Sequence, residues 1–325
     1  MSRTALAGFP RGGSVRSGVA PVNLGTHPSL AANAAPAVVS LKWHDGQVVI
    51  GYGDWTTNTG PIDIAAIAPD GTPSVLISGF MTEATSIQRV FDGALWVPAI
   101  DSRGAATGVA TDWGGTWQVM PVPDMQHTFD VATLDGTDLW LAGTGVTSAN
   151  TIGPMVLRTA DRDAPDWQTI YEFPSSPLRV YALWPDLVTG SMLFGSEADG
   201  KAWSWTAGAL TETTVFNATD LVVFPSDMIP WGGGVASLKG VMSDAGFLAS
   251  NPRNIRPGAE IGGVIYGTNI LADHYVYEAA GIAGGQIDWR PLLRVEHEAR
   301  ALASDGSSLY VGGPSGEISK AAIPS

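Results

Sequence analysis

An all-β fold of repeated four-stranded units is predicted by three features of the 325-residue chain. Short apolar runs alternate with polar turns, 40 Gly and 22 Pro punctuate them, and one hairpin pattern recurs along the length. Apolar residues make up 45% and charged residues 15%, where an ordinary soluble domain has about 25% charged. The chain therefore has the material for a sizeable core, and no apolar run reaches the roughly 18 residues of a membrane-spanning helix.

The repeated unit is an apolar strand, a turn with Asp and Gly, and a second strand ending in small residues. It is clearest at 38–54 (VVSLKWHDGQVVIGYGD), 87–101, 129–144 and 299–314, where Asp45-Gly46, Asp92-Gly93, Asp135-Gly136 and Asp305-Gly306 supply the positive φ angles of tight hairpins. Less regular copies lie at 179–197, 220–236 and 263–279. Unit starts near 38, 84, 126, 179, 220, 259 and 297 recur at the period of about 40–50 residues that marks a four-stranded propeller blade.

The prediction is one β-propeller of seven blades, with six as the alternative. Its last unit has three strands, so a strand from within residues 17–25 is expected to complete it and to close the ring without a free sheet edge. Residues 1–37 are then a basic arm with the closing strand, and 38–325 the propeller. The best helical candidate, 29–39, is cut short by Pro36. Trp43, Trp96, Trp140 and Trp184 fall in or beside the repeated strands and are expected in the core between blades.

Charge is unevenly placed. The first acidic residue is Asp45, so the net charge of −14 divides into +4 over residues 1–44, which hold Arg3, Arg11, Arg16 and Lys42, and −18 over the remainder. An acidic body without a basic patch excludes nucleic acid as its partner. Arg3, Phe9, Arg11 and Arg16 are the candidate binding residues of an arm that docks on a neighbouring chain. The competing reading folds the arm back on its own acidic surface. The arm has no apolar stretch of the secretory type.

Catalytic and metal motifs are absent from the linear sequence. With no Cys there is no thiolate ligand, disulfide or cysteine nucleophile, and none of His27, His44, His127, His274 and His297 stands at ligand spacing from another. Asp54 and Asn58 share the loop GDWTTNTG, which suits capping of its own turn better than calcium, since it offers one carboxylate and no distal Glu. No phosphate or dinucleotide fingerprint is present, so no catalytic residue, metal or cofactor is assigned.

Two segments resemble known families. ATDWGGTW at 110–117 resembles the Asp-box of sialidase-like propellers, S/T-x-D-x-G-x-T-W: Asp112, Gly114, Thr116 and Trp117 match, and Ala110 stands where Ser or Thr is usual. A looser copy lies at 159–167. The resemblance implies a structural turn between a blade's outer strands, with Asp112 accepting backbone N–H bonds and Trp117 packing between blades. GDWTTNTGP at 53–61 resembles the first blade of propellers in tail proteins of bacteriophages that infect actinobacteria. That resemblance implies a non-enzymatic virion structural protein, a minor tail or decoration protein in a symmetric assembly on the particle. Its partners would be other virion proteins, with host-surface carbohydrate a candidate ligand. The alternatives are a sialidase-like, glycoside-active enzyme and a cellular scaffold propeller.

Overall fold

Asp-Gly pairs set where the inner strands fold back. Asp45 and Asp92 take φ of 46° and 51°, and the glycines after them 77° and 76°, so two-residue turns join His44 to Gln47 and Phe91 to Ala94 in register. The same dipeptide at 135–136 and 305–306 turns differently, since only its Gly has positive φ there. Asp135 Oδ1 accepts the Thr137 and Asp138 N–H groups, and Asp305 Oδ1 those of Ser307 and Ser308.

The computed structural model describes residues 20–54, 57–81, 83–85, 87–99, 108–174, 182–186, 190–196, 200–214, 228–231, 234–243, 246–271 and 273–323. Arg3, Phe9, Arg11 and Arg16 lie outside them. After β1 (Val22–Thr26) and a one-turn helix α1 (Pro28–Ala31), the strands fall into seven antiparallel sheets of four. Blade 1 is β2 (Val38–His44), β3 (Gln47–Tyr52), β4 (Ile62–Ile67) and β5 (Pro73–Met81). Blade 2 is β6 (Arg89–Phe91), β7 (Ala94–Pro98), β8 (Gly108–Thr111) and β9 (Gln118–Pro121). Blade 3 is β10 (Met125–Ala132), β11 (Leu139–Val146), β12 (Ile152–Thr159) and β13 (Gln168–Glu172). Blade 4 is β14 (Leu183–Asp186), β15 (Ser191–Ser196), β16 (Lys201–Thr206) and β17 (Ala209–Thr213).

Blade 5 is β18 (Ile229–Trp231), β19 (Gly234–Ser237), β20 (Gly240–Ser243) and β21 (Gly246–Ser250). Blade 6 is β22 (Ile255–Ile261), β23 (Val264–Asn269), β24 (Tyr275–Ala283) and β25 (Gln286–Arg294), joined to blade 5 by the single parallel pair Ser250–Gln286. Blade 7 is β26 (Ala301–Ser304), β27 (Ser308–Gly312) and β28 (Glu317–Ala322), and β1 pairs antiparallel with β28 from Val22–Lys320 to Thr26–Glu317. The ring is closed by an N-terminal strand, as the three-strand final unit implies.

Differences from the sequence reading cluster in the irregular copies. The segment 263–279 is the second and third strands of blade 6, and its inner strand is the polar IRPGAEI before it, broken by a bulge between Pro257 and Ala259. In the Ala-rich run only one helical turn forms, capped by His27, whose Nδ1 accepts the Ser29 N–H. Trp96, Trp140 and Trp184 are buried between blades, whereas Trp43 is half-buried and stacks on Tyr310 at 5.7 Å.

Candidate functional site along the central channel

Seven inner strands meet around the axis, and the two ends of the channel they frame differ in chemistry. At the hairpin end a cavity of about 820 Å³ is lined by residues from all seven blades, among them Lys42, Trp43, Arg89, Glu260 and Ser304. Its size suits a small organic ligand. The charges on its wall are already committed. Arg89 donates from Nε and Nη2 to the two carboxylate oxygens of Asp130 at 2.8 and 2.6 Å, and again from Nη2 to the Leu183 carbonyl at 2.6 Å. Asp130 also accepts the Leu183 and Val131 N–H groups. Its side chain is fully buried; burial pushes this carboxyl up, and the Arg89 charge with its hydrogen bonds pulls against that rise. One ion pair thus clasps blades 2, 3 and 4.

The remaining carboxylates at this end serve turns and blade contacts. Asp92 pairs with Arg162 at 2.6 Å, and that guanidinium lies 3.7 Å from the Trp113 ring centroid. Glu260 accepts the Gly263 N–H at 2.5 Å. Burial alone would raise Asp135, but the bonds it accepts from Asp138 and Thr137 outweigh it and hold the carboxyl at about 2.

The strand-start end is built from the connection between blades 1 and 2. Gly51 and Gly53 at the end of β3 let it approach. A Cβ on Gly51 would lie 2.4 Å from the Thr85 carbonyl oxygen, and one on Gly53, at φ +102°, 2.2 Å from that of Glu83. The seated segment is held by the Asp54 N–H on the Glu83 carbonyl and the Tyr52 N–H on Thr85 Oγ1. It carries Glu83, with a side chain 3% exposed, to 3.8 Å from Nδ1 of His127 in β10, whose ring is 16% exposed and stacks on Phe129. Gln88 lies just before β6 and is buried at 1% exposure. Beside the inner strand of blade 7, Arg256 in β22 donates to the Val39 carbonyl and shares a water-sized void with Ser40.

The resemblance residues sit apart from the axis. The hairpin of β8 and β9 carries Asp112, Gly114 and Thr116, with Gly114 at φ +81°. Asp112 Oδ1 accepts the Leu95 N–H, and its Oδ2 meets His44 Nε2 of blade 1 at 2.5 Å. Trp117 packs on the core shared with blade 1. In the GDW loop, Asp54 accepts from Thr57 and Asn58 from Gly60. Among the described residues no group of three or more His, Asp or Glu forms a metal-holding cluster, and no helix is long and apolar enough to cross a membrane.

No family model and no curated protein matches the chain. Solved structures match its fold. A catalytically inactive virginiamycin B lyase from Staphylococcus aureus with quinupristin is 15% identical over 94% of this chain and 99% of that one, at a TM-score of 0.55. A streptogramin B lyase is 13% identical over 96% and 100%, at 0.53. A chain of the mitotic checkpoint complex is 12% identical over 97% and 98%, at 0.56. At such identities the likeness establishes a β-propeller and nothing finer.

These neighbours correct the functional expectation. Two are lyases, which runs against the expectation of a non-enzymatic bacteriophage virion protein with no catalytic residues and favours an enzyme-type propeller. The physical reason lies in the architecture. A site in a propeller channel is assembled from single residues on separate blades, and a search for linear motifs passes over them. The signal that was available is Gly51 and Gly53, one within and one just past the end of a strand, which marks a close backbone approach.

Proposed function

We propose that this propeller is an enzyme that takes a small organic molecule into its central channel and acts on it by proton transfer. The observation that carries this reading is the approach of Glu83 to His127 at the strand-start end. Imidazole is the side chain best suited to proton exchange near neutral pH. A carboxylate facing Nδ1 favours the tautomer with its proton there and leaves Nε2 as the base. The 3.8 Å separation is longer than a hydrogen bond, and such pairs commonly tighten when substrate binds. A fold shared with two lyases agrees with an enzyme and adds nothing about the substrate.

A glycoside is the second reading, favoured by Trp43 on the wall of the wide cavity, where an indole can stack on a sugar face. It requires a protonated acid, and Asp135, held at about 2, is unsuited to that role. The Asp-box-like turn at 110–117 is architectural in both readings.

Incubation with panels of lactones, cyclic depsipeptides and fluorogenic glycosides, followed by mass spectrometry, tests the proposal. Turnover of one class is expected, with His127→Gln losing about a hundredfold or more. Turnover that survives His127→Gln, or none by the wild type, contradicts it.

A further inference from the structure

We infer that Gln88 is a recognition residue of the channel, and that the ligand is a small, non-anionic molecule presenting an N–H and a C=O side by side, as a cyclic amide or imide does. Both side-chain atoms of Gln88 are buried, and among the described residues neither has a hydrogen-bond partner. Ser40 Oγ is in the same condition, and the two groups meet over one glycine: a Cβ on Gly51 would lie 2.0 Å from Ser40 Oγ and 3.1 Å from Gln88 Nε2. A carboxamide left so is costly in the folded state. Its place in the structure makes the cost intelligible, because Gln88 also lies on the wall of the 820 Å³ cavity.

Turning from Gly51 into the cavity breaks no hydrogen bond of the Gln88 side chain. There its planar amide offers one acceptor and two donors. The complement of such a group is another amide edge, which satisfies acceptor and donor together. Charge narrows the class. Arg89 is neutralised by Asp130 and Asp92 by Arg162, and Asp135 and Glu260 outnumber Lys42 on the same wall, so an anion is repelled.

The inference rests on the channel being the substrate site. Its test reads binding alone, so failure of the acid–base reading at His127 leaves it standing, and the reverse holds too. Ligand-observed NMR would compare 2-piperidone, glutarimide and uracil with cyclohexanone as a size-matched probe that lacks the N–H. Binding of the amide-bearing probes is expected, uracil distinguishing a nucleobase edge from a plain cyclic amide. Gln88→Leu should weaken that binding about tenfold or more, leave cyclohexanone unaffected, and keep or raise the melting temperature, since it removes an unsatisfied buried amide. Equal binding of cyclohexanone, no binding of any amide probe, or a Gln88→Leu protein that melts lower while binding normally would overturn the inference.

Discussion

The two ends of the channel spend their polar residues in opposite ways. At the hairpin end the charged groups are engaged: Arg89 with Asp130, Arg162 with Asp92, Glu260 and Asp135 with backbone N–H groups. Such pairs hold blades and turns. At the strand-start end Glu83 lies 3.8 Å from His127, and the side chains of Gln88 and Ser40 are buried without a partner among the described residues. Buried polar groups without a partner, as Gln88 and Ser40 are among the described residues, reduce stability and mark candidate ligand contacts. The wide cavity and the candidate chemistry thus lie toward different ends, joined by Gln88.

The largest effect is expected from Asp130→Ala, which leaves Arg89 facing a buried vacancy and frees the Leu183 N–H. It should cost about 3–5 kcal/mol in urea unfolding, whereas Arg89→Met with Asp130→Leu should cost far less. A loss under about 1 kcal/mol would mean that the clasp is not structural. Gly53→Ala comes next. Its φ and the 2.2 Å approach of its Cβ to the Glu83 oxygen are expected to cost about 1–3 kcal/mol and to lower turnover through displacement of Glu83. An unchanged rate in that variant would separate Glu83 from the chemistry.

The smallest effect is one of pH. Asp135 and Asp305 are held below the ordinary carboxylate value, each because the hydrogen bonds of its turn outweigh its burial. A carboxylate whose folded value is depressed contributes stability above its unfolded value and loses it as pH falls through the folded one. Thermal stability should therefore decline between about pH 4 and pH 2, less steeply in Asp135→Asn. A decline of the same depth in that variant would remove Asp135 from the account.

How much of this the sequence discloses depends on whether a feature is local. Asp45-Gly46 and Asp92-Gly93 announce their turns because two adjacent residues decide the backbone, and four such copies give the period and hence the ring. Blade 6 is harder to read because its inner strand IRPGAEI is polar and kinked at Pro257, so the apolar VIYGTN beside it looks like the start of the unit. The site is least legible. Glu83, Gln88 and His127 belong to no motif, and what gathers them is the seating of one connection against Gly51 and Gly53. Asp112 does stand out in sequence, and the structure places it between blades 1 and 2, bonded to Leu95 and His44 away from the axis.

The most direct test of the division between the two ends is a paired measurement of kcat/KM and melting temperature on His127→Gln and Glu260→Gln, using whichever substrate class the screen identifies. The account expects His127→Gln to lose turnover by about a hundredfold or more at an unchanged melting temperature, and Glu260→Gln to keep turnover within about threefold. The reverse pattern, with activity lost at Glu260 and retained at His127, would place the chemistry at the hairpin end and contradict the account.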